Sequence, residues 1–338
     1  MIREQLGTLS RRDPMYELLS RVLLGGQGGD CGDFEVFRFG REGAVYLYVH
    51  TQTRARAIGK FYGRKWIPGQ SASGEDLRSL LLQREFENML MLRDRGFDGG
   101  PHVVPRPLET SEAVDWVLVE EFVEGENIHQ ILRRTLEWND GELVHGLETI
   151  AQLLARLHRF TPPPTLLPRK DVGRYYDKVV TQLRNGEVIS AADAERLGAI
   201  GRAWIASGIL DNFTPAMIHG DATPEHFLHD RGAGRMHLID VETLRAGDPA
   251  EDLGYLAGEL KHLCWTYTRD RWSSEPAIRH LYAAYARAAE MSQRDADRLT
   301  ERARYFMGCA ELRIARNAWL PFDHRLELAA EAEQCLRI

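Results

Sequence analysis

The sequence predicts an α+β protein of two lobes, a small antiparallel β lobe followed by a larger, mainly helical lobe. Three observations carry this. Residues 33–119 hold several short strand-like apolar runs. Nearly everything after Gly125 follows helical spacing. At 338 residues the chain is also longer than one simple core accommodates. Hydrophobic residues at 43% and charged residues at 28% are the balance of a globular chain with an ordinary core.

Residues 1–32 read as a helical leader. Met15, Leu18, Leu19, Val22 and Leu23 recur at helical spacing, and the glycine-rich stretch Gly25-Gly26-Gln27-Gly28-Gly29 ends it. From Asp33 the period changes: Phe34 and Val36, then residues 44–49, flank the turn Gly40-Arg41-Glu42-Gly43 as a hairpin. A third strand is expected over 55–62. A helix is expected over 76–95, where Leu77, Leu80, Leu81, Phe86, Met89, Leu90 and Leu92 share one side. Gly99-Gly100-Pro101 breaks the chain before two short strands at 103–104 and 116–119. Residues 127–160 are largely helical and stop at Pro162-Pro163-Pro164. Two further strands are expected around 216–219 and 236–240, and 251–338 reads as helices. The expected division is a leader at 1–32, a β lobe at 33–121 and a larger helical lobe at 122–338.

Composition removes several function classes. With 43 Lys and Arg against 50 Asp and Glu, the net charge of −7 lacks the footprint of a nucleic-acid binder. Cys31, Cys264, Cys309 and Cys335 are scattered with no Cys-x-x-Cys pair, so neither a structural zinc site nor a disulfide framework is expected, only free thiols. No 18 consecutive apolar residues occur, and Met1-Ile2-Arg3-Glu4-Gln5 opens no signal-peptide core. The expectation is a cytoplasmic protein without a membrane span, acting on a small molecule.

The chemistry concentrates in His219-Gly220-Asp221-Ala222-Thr223-Pro224-Glu225-His226-Phe227-Leu228 and in Leu238-Ile239-Asp240-Val241-Glu242. A short apolar strand delivers one Asp into a loop, and a second strand delivers another 19 residues later. Phosphoryl transfer uses such a pair. One carboxylate takes the proton of an acceptor hydroxyl, and the other holds Mg²⁺ on nucleotide phosphates, since that hard cation prefers carboxylate oxygen.

These stretches resemble the aminoglycoside-phosphotransferase and choline-kinase-like enzymes, relatives of the protein kinases. Their HGDxxxxN loop, ID-x-[DE] strand and GDPxxDLA stretch correspond to His219-Gly220-Asp221, to Ile239-Asp240-Val241-Glu242, and to Gly247-Asp248-Pro249-Ala250-Glu251-Asp252-Leu253-Gly254. The resemblance implies a bilobal protein-kinase-like fold and roles for single residues. Asp221 is the catalytic base, and Asp240, with Glu242 and His226, is placed at the metal. Lys60, in Ala57-Ile58-Gly59-Lys60, meets the phosphates and is paired by Glu85, with Glu87 as the fallback. Gly40 and Gly43 sit where a phosphate-covering loop belongs, and the backbone of Glu121, Phe122 and Val123 meets the adenine. Asp252 braces the catalytic loop, Asp248 caps the following helix, and His219 holds the turn. ATP is the implied donor, with GTP left open, and Mg²⁺ or Mn²⁺ the implied cation.

One position departs from the pattern. His226 stands where the metal-binding Asn belongs, and imidazole suits softer divalent ions than an amide oxygen does. In this it resembles the lipopolysaccharide core sugar kinases, which also carry His followed by Phe-Leu. The expected activity is transfer of the γ-phosphate to a hydroxyl of a sugar, amino sugar or aminoglycoside-like alcohol. The alternative is a nucleotide-binding pseudokinase, a regulatory module without transfer. A protein acceptor is disfavoured, because no Ala-Pro-Glu segment follows Asp240. The remaining candidates read blandly. His229 and His237 are expected to be solvated, Trp265, Tyr267, Trp272, Tyr305 and Trp319 to be core, and Arg302, Arg304, Arg313 and Arg316 to form a solvated helix face, of interest only for an anionic acceptor.

Overall fold

A computed structural model describes residues 3–25, 32–39, 44–64, 75–135, 141–270 and 272–337. In chain order the elements are β1 (Arg3–Thr8), α1 (Pro14–Leu24), β2 (Phe34–Phe39), β3 (Val45–His50), β4 (Arg56–Phe61), α2 (Glu75–Leu92), β5 (His102–Val103), β6 (Pro107–Ser111), β7 (Val117–Glu121) and β8 (Glu126–Asn127). They continue with α3 (Ile128–Thr135), α4 (Gly141–His158), α5 (Val172–Asn185), α6 (Ala191–Ala206), β9 (Ala216–Ile218), β10 (Phe227–Asp230), β11 (Arg235–Leu238), β12 (Arg245–Gly247), α7 (Pro249–Thr268), α8 (Glu275–Ala288), α9 (Gln293–Ala315) and α10 (Phe322–Leu336). The chain forms two compact units: residues 1–125 with 228–242, and residues 126–227 with 243–338. The first is the antiparallel β unit and the second the helical one, as the sequence predicts.

In the first unit an antiparallel sheet runs in the order β1-β2-β3-β4-β7-β6. Alternation along its strands gives two distinct faces. Phe34, Tyr48, Ala57, Phe61, Val117 and Val119 point to one face, where Met15, Leu18 and Leu19 of α1 cover them. Phe39, Leu47, Val49 and Ile58 point to the other, joined by Phe122. Two residues on from Ile58, Lys60 shares that second face. α1 starts where Asp13 accepts the Met15 N–H at 2.9 Å with Pro14 at the first position, and it stops at Gly25, whose φ of 67° few other residues adopt.

Two features correct the sequence reading here. The leader is helical only over α1, because Arg3–Thr8 is a strand that pairs with β2 at the sheet edge. Residues 228–242, expected in the second lobe, belong to the first unit, because β11 pairs parallel with β5 and lies beside β10. The resulting β10–β11 hairpin buries His229 and His237, which are 4% and 5% exposed and not solvated.

The second unit is built on helix pairs, with α4 against α8 and α7 against α9 and α10 against α9. The α7–α9 approach depends on glycine: a Cβ on Gly254 would lie 2.5 Å from the Ala303 carbonyl oxygen, and one on Gly258 2.6 Å from the Ala310 Cβ. β9 pairs antiparallel with β12, which sets Ile218 opposite Arg245 just before the His219–His226 loop. Among the described residues Cys264, Cys309 and Cys335 are free and buried, and no helix is long and apolar enough to cross a membrane. Tyr305 is core as expected, but Trp272 and Trp319 are 57% and 75% exposed.

Candidate active site

In the first unit the register of β4 against β7 places Lys60 opposite Leu118 and Ile58 opposite Glu120. Lys60 Nζ lies 2.6 Å from Glu85 Oε1 on α2 and 3.3 Å from Glu120 Oε1. Glu85 is wholly buried and also accepts the Tyr62 hydroxyl. Burial alone pushes the Lys60 ammonium down, but Glu120, Glu85 and Asp240 outweigh it and hold the proton well above its ordinary value. Burial raises Glu120 in turn, opposed by Lys60. Glu87 is exposed and accepts from Gln83, so Glu85 is the partner of Lys60.

Asp240 follows β11 with φ at 61°, a left-handed conformation that turns the chain sharply into Val241 and Glu242. Asn88 of α2 fixes that turn by donating to the Val241 carbonyl at 2.8 Å. Carboxylate oxygens of Glu85, Asp240 and Glu242 lie within 4.8 Å of one another. With Glu85 committed to Lys60 and Tyr62, Asp240 and Glu242 form an oxygen-only donor pair suited to a hard divalent cation. After Glu121 the chain leaves the sheet, and residues 122–125 have no regular secondary structure. The Glu121 carboxylate accepts the Arg106 backbone N–H at 2.8 Å, and the Arg56 guanidinium lies 4.5 Å from the Phe122 ring centroid. Gly40 and Gly43 lie outside the described residues.

In the second unit the loop carrying Asp221 is held from beneath. Asp252 accepts the backbone N–H of His219 at 2.7 Å and of Gly220 at 2.8 Å, and His158 Nε2 donates to it at 3.0 Å. Gly220, at φ 81°, has no room for a side chain: a Cβ would lie 1.8 Å from Arg245 Nη1. Arg245 in turn donates to the Gly220 carbonyl and pairs with Glu251 in the core. The Asp221 N–H donates to His219 Nδ1 at 3.3 Å, and His226 Nδ1 donates to the Asp221 carbonyl at 2.8 Å. The two imidazoles stack with centroids 5.3 Å apart. Because Nδ1 of His226 carries the proton, the lone pair of the neutral ring sits on Nε2. Asp248 caps α7 by accepting the Ala250 N–H and also pairs with Arg302 at 2.6 Å.

Asp221 itself receives Arg313 of α9 on Oδ1, and Arg313 also holds Glu259 of α7 at 3.0 Å. Burial raises the Asp221 carboxyl, but Arg313, His226 and His219 together hold it below its ordinary value, so it is an anion at neutral pH. Burial raises Glu259 despite the same arginine. This corrects the expected solvated arginine face: Arg302 is 6% exposed and Arg313 is largely covered. The signal was present in the spacing, since Arg302, Phe306, Cys309 and Arg313 recur on one stripe of α9 and the two residues between the arginines are buried.

Asp252 yields a prediction. Asn at this position keeps one acceptor oxygen and turns an amide toward N–H donors, so Asp252→Asn lowers unfolding free energy by about 3 kcal/mol at neutral pH. Burial opposes ionisation of Asp252, but His158 and the Gly220 N–H hold its carboxyl below 3.8. Its stabilisation is therefore complete above that value and lost as pH falls through the lowered pKa. The gap between denaturant melts of the two proteins should be full above about pH 3.8 and close as pH falls through the lowered pKa. A gap that stays constant into acid contradicts the assignment.

The family match and the shared fold make the chain a kinase of the protein-kinase-like superfamily, a phosphotransferase with an alcohol acceptor. The chain belongs to the phosphotransferase enzyme family (APH), whose profile matches residues 33–306. Solved structures share the fold. The choline kinase of Cryptosporidium parvum matches with a TM-score of 0.64 at 12% identity, over 95% of this chain and 94% of that one. The Plasmodium vivax ethanolamine kinase matches with 0.59 at 11%, over 93% and 87%. The streptomycin–ATP complex of APH(2'')-IIa matches with 0.58 at 13%, over 96% and 97%. No curated protein sequence matches the chain significantly.

Proposed function

We propose that this kinase transfers the γ-phosphoryl group of ATP to a hydroxyl of a small molecule, with a sugar as first choice. The observation that carries the reading is the Asp221 carboxylate, kept ionised on a loop whose backbone is pinned by Asp252. A loop that served nucleotide binding alone has no need of a half-buried anion so held.

The division of labour follows from the residues. The apolar sheet face of Phe39, Leu47, Val49 and Ile58 receives the flat base, and the backbone of Glu121, Phe122 and Val123 supplies its hydrogen bonds. Lys60 offers its ammonium to phosphate oxygens, oriented by Glu85 and Glu120. Asp240 and Glu242 hold a divalent cation, Mg²⁺ or Mn²⁺, which when bound neutralises phosphate charge. His226, with Nδ1 committed to the Asp221 carbonyl, would offer a softer nitrogen donor that suits Mn²⁺ better than an amide oxygen does. Asp221 accepts the acceptor's hydroxyl proton as the new phosphorus–oxygen bond forms and the bond to the ADP oxygen breaks.

The test is incubation of the protein with ATP, either metal and pooled hydroxyl compounds, followed by mass spectrometry. A phosphorylated product that requires Asp221 is the expected result. Unchanged ATP with both metals and every acceptor contradicts it.

A further inference from the structure

We infer that Glu311, Glu331 and Cys335 form a second cation site, between α9 and α10, for a borderline-soft divalent ion such as Zn²⁺. It shares no residue with the phosphotransfer groups and does not rest on the kinase reading. Glu331 and Cys335 lie four residues apart on α10, so their side chains stand on one face of that helix, and Glu311 reaches the same point from α9. The helices approach closely there: a Cβ on Gly308, one turn before Glu311, would lie 2.6 Å from Leu336 Cγ. One donor atom from each of the three residues lies within 4.8 Å of the other two. All three are buried, at 0%, 5% and 8% exposure in the order named.

Glu311 is the observation that asks for a ligand. It is fully buried, yet neither carboxylate oxygen has a hydrogen-bond partner among the described residues. A carboxylate so placed is costly unless a cation meets it. Lys261 of α7 is already committed, to Glu275 at 2.6 Å and to Glu331 at 2.9 Å. Glu275, Glu311 and Glu331 thus have one ammonium between them. When ionised they leave two negative charges over, which a divalent cation cancels. A proton on Glu311 would quench part of that charge instead, and the experiment separates the two.

The donors set the class of ion. A thiolate beside two carboxylates suits Zn²⁺, whereas Mg²⁺ and Ca²⁺ take oxygen alone. Tetrahedral zinc holds its donors about 3.5 Å apart, so the three side chains draw in by about 1 Å, and water takes the fourth position. As the sulfur–zinc bond forms, the Cys335 thiol releases its proton to solvent. The sequence reading expected only free thiols, because a site built mostly from glutamates carries none of the Cys and His spacings that mark zinc.

The experiment uses the full chain without a histidine tag, stripped with EDTA and titrated with Zn²⁺ and, separately, with Co²⁺. The expected results are one zinc retained per chain by plasma mass spectrometry, a melting temperature that rises on zinc addition, and a thiolate-to-cobalt charge-transfer band in the near ultraviolet. The band locates the ion, since Asp240 and Glu242 carry no sulfur. Cys335→Ser should abolish it. Cys264→Ser, whose Sγ donates to the Asp270 carbonyl outside the cluster, should keep it. Glu311→Gln distinguishes metal from proton: zinc affinity should fall by about a hundredfold and the zinc-induced rise in melting temperature should vanish. Should Cys335→Ser fail to fold, the wild-type band and its loss in Glu311→Gln carry the comparison. A chain that retains no zinc and shows no band overturns the inference. So does a band that survives Cys335→Ser, or a zinc-induced rise unchanged in Glu311→Gln. None of these readouts uses ATP, so failure here leaves the kinase reading standing.

Discussion

Asp221→Asn is expected to lower kcat for phosphoryl transfer by roughly a hundred- to ten-thousand-fold, the usual worth of a positioned proton acceptor. The amide oxygen still accepts from Arg313, and the pinned backbone at His219 and Gly220 depends on Asp252 and not on this side chain. Melting temperature and nucleotide affinity should therefore change little, because the groups assigned to the nucleotide lie in the other unit. A coupled ADP-release assay with parallel thermal melts reads both quantities. An Asp221→Asn protein with undiminished turnover removes the base assignment, and a protein that unfolds makes Asp221 a structural anion.

The second large effect is at Lys60, where function and stability separate. Lys60→Met removes the cation assigned to the phosphates and also leaves Glu85 and Glu120 buried together without it. Loss of one partner from a buried ion pair costs about 3–5 kcal/mol. Lys60→Met should therefore both lose nucleotide affinity and melt low. Adding Glu85→Gln removes one of the stranded charges, so the double variant should recover much of the stability and none of the nucleotide binding. Titration calorimetry with ATP beside denaturant melts distinguishes these outcomes. Nucleotide binding that returns with stability assigns Lys60 to the core alone.

The parts of this site legible in the sequence are those that local chemistry writes into short strings. Lys60 follows an apolar strand, Asp221 follows His-Gly, and Asp252 sits in Gly-Asp-Pro-Ala-Glu-Asp-Leu because a helix cap and a loop brace occupy one turn. What long-range packing decides was not legible. Arg3–Thr8 pairs through its backbone at the sheet edge, with Leu6 48% exposed, so no apolar alternation announces it. The β10–β11 hairpin joins the first unit through β5, more than a hundred residues upstream, and so buries His229 and His237. Arg302 and Arg313 read as solvated because charge was weighed above position. Their stripe on α9 faces Asp248 in one case and Asp221 with Glu259 in the other. Trp319, by contrast, is aromatic yet lies outside the core.

The most direct measurement of the central claim is phosphorus NMR of ATP incubated with the protein, Mg²⁺ or Mn²⁺, and acceptor mixtures graded by charge. The account predicts a growing phosphomonoester resonance matched by ADP, present with the wild-type chain and missing with Asp221→Asn. ATP that binds with Lys60-dependent affinity yet stays intact with both metals and every acceptor would contradict it, and would make the chain a nucleotide-binding module that transfers nothing.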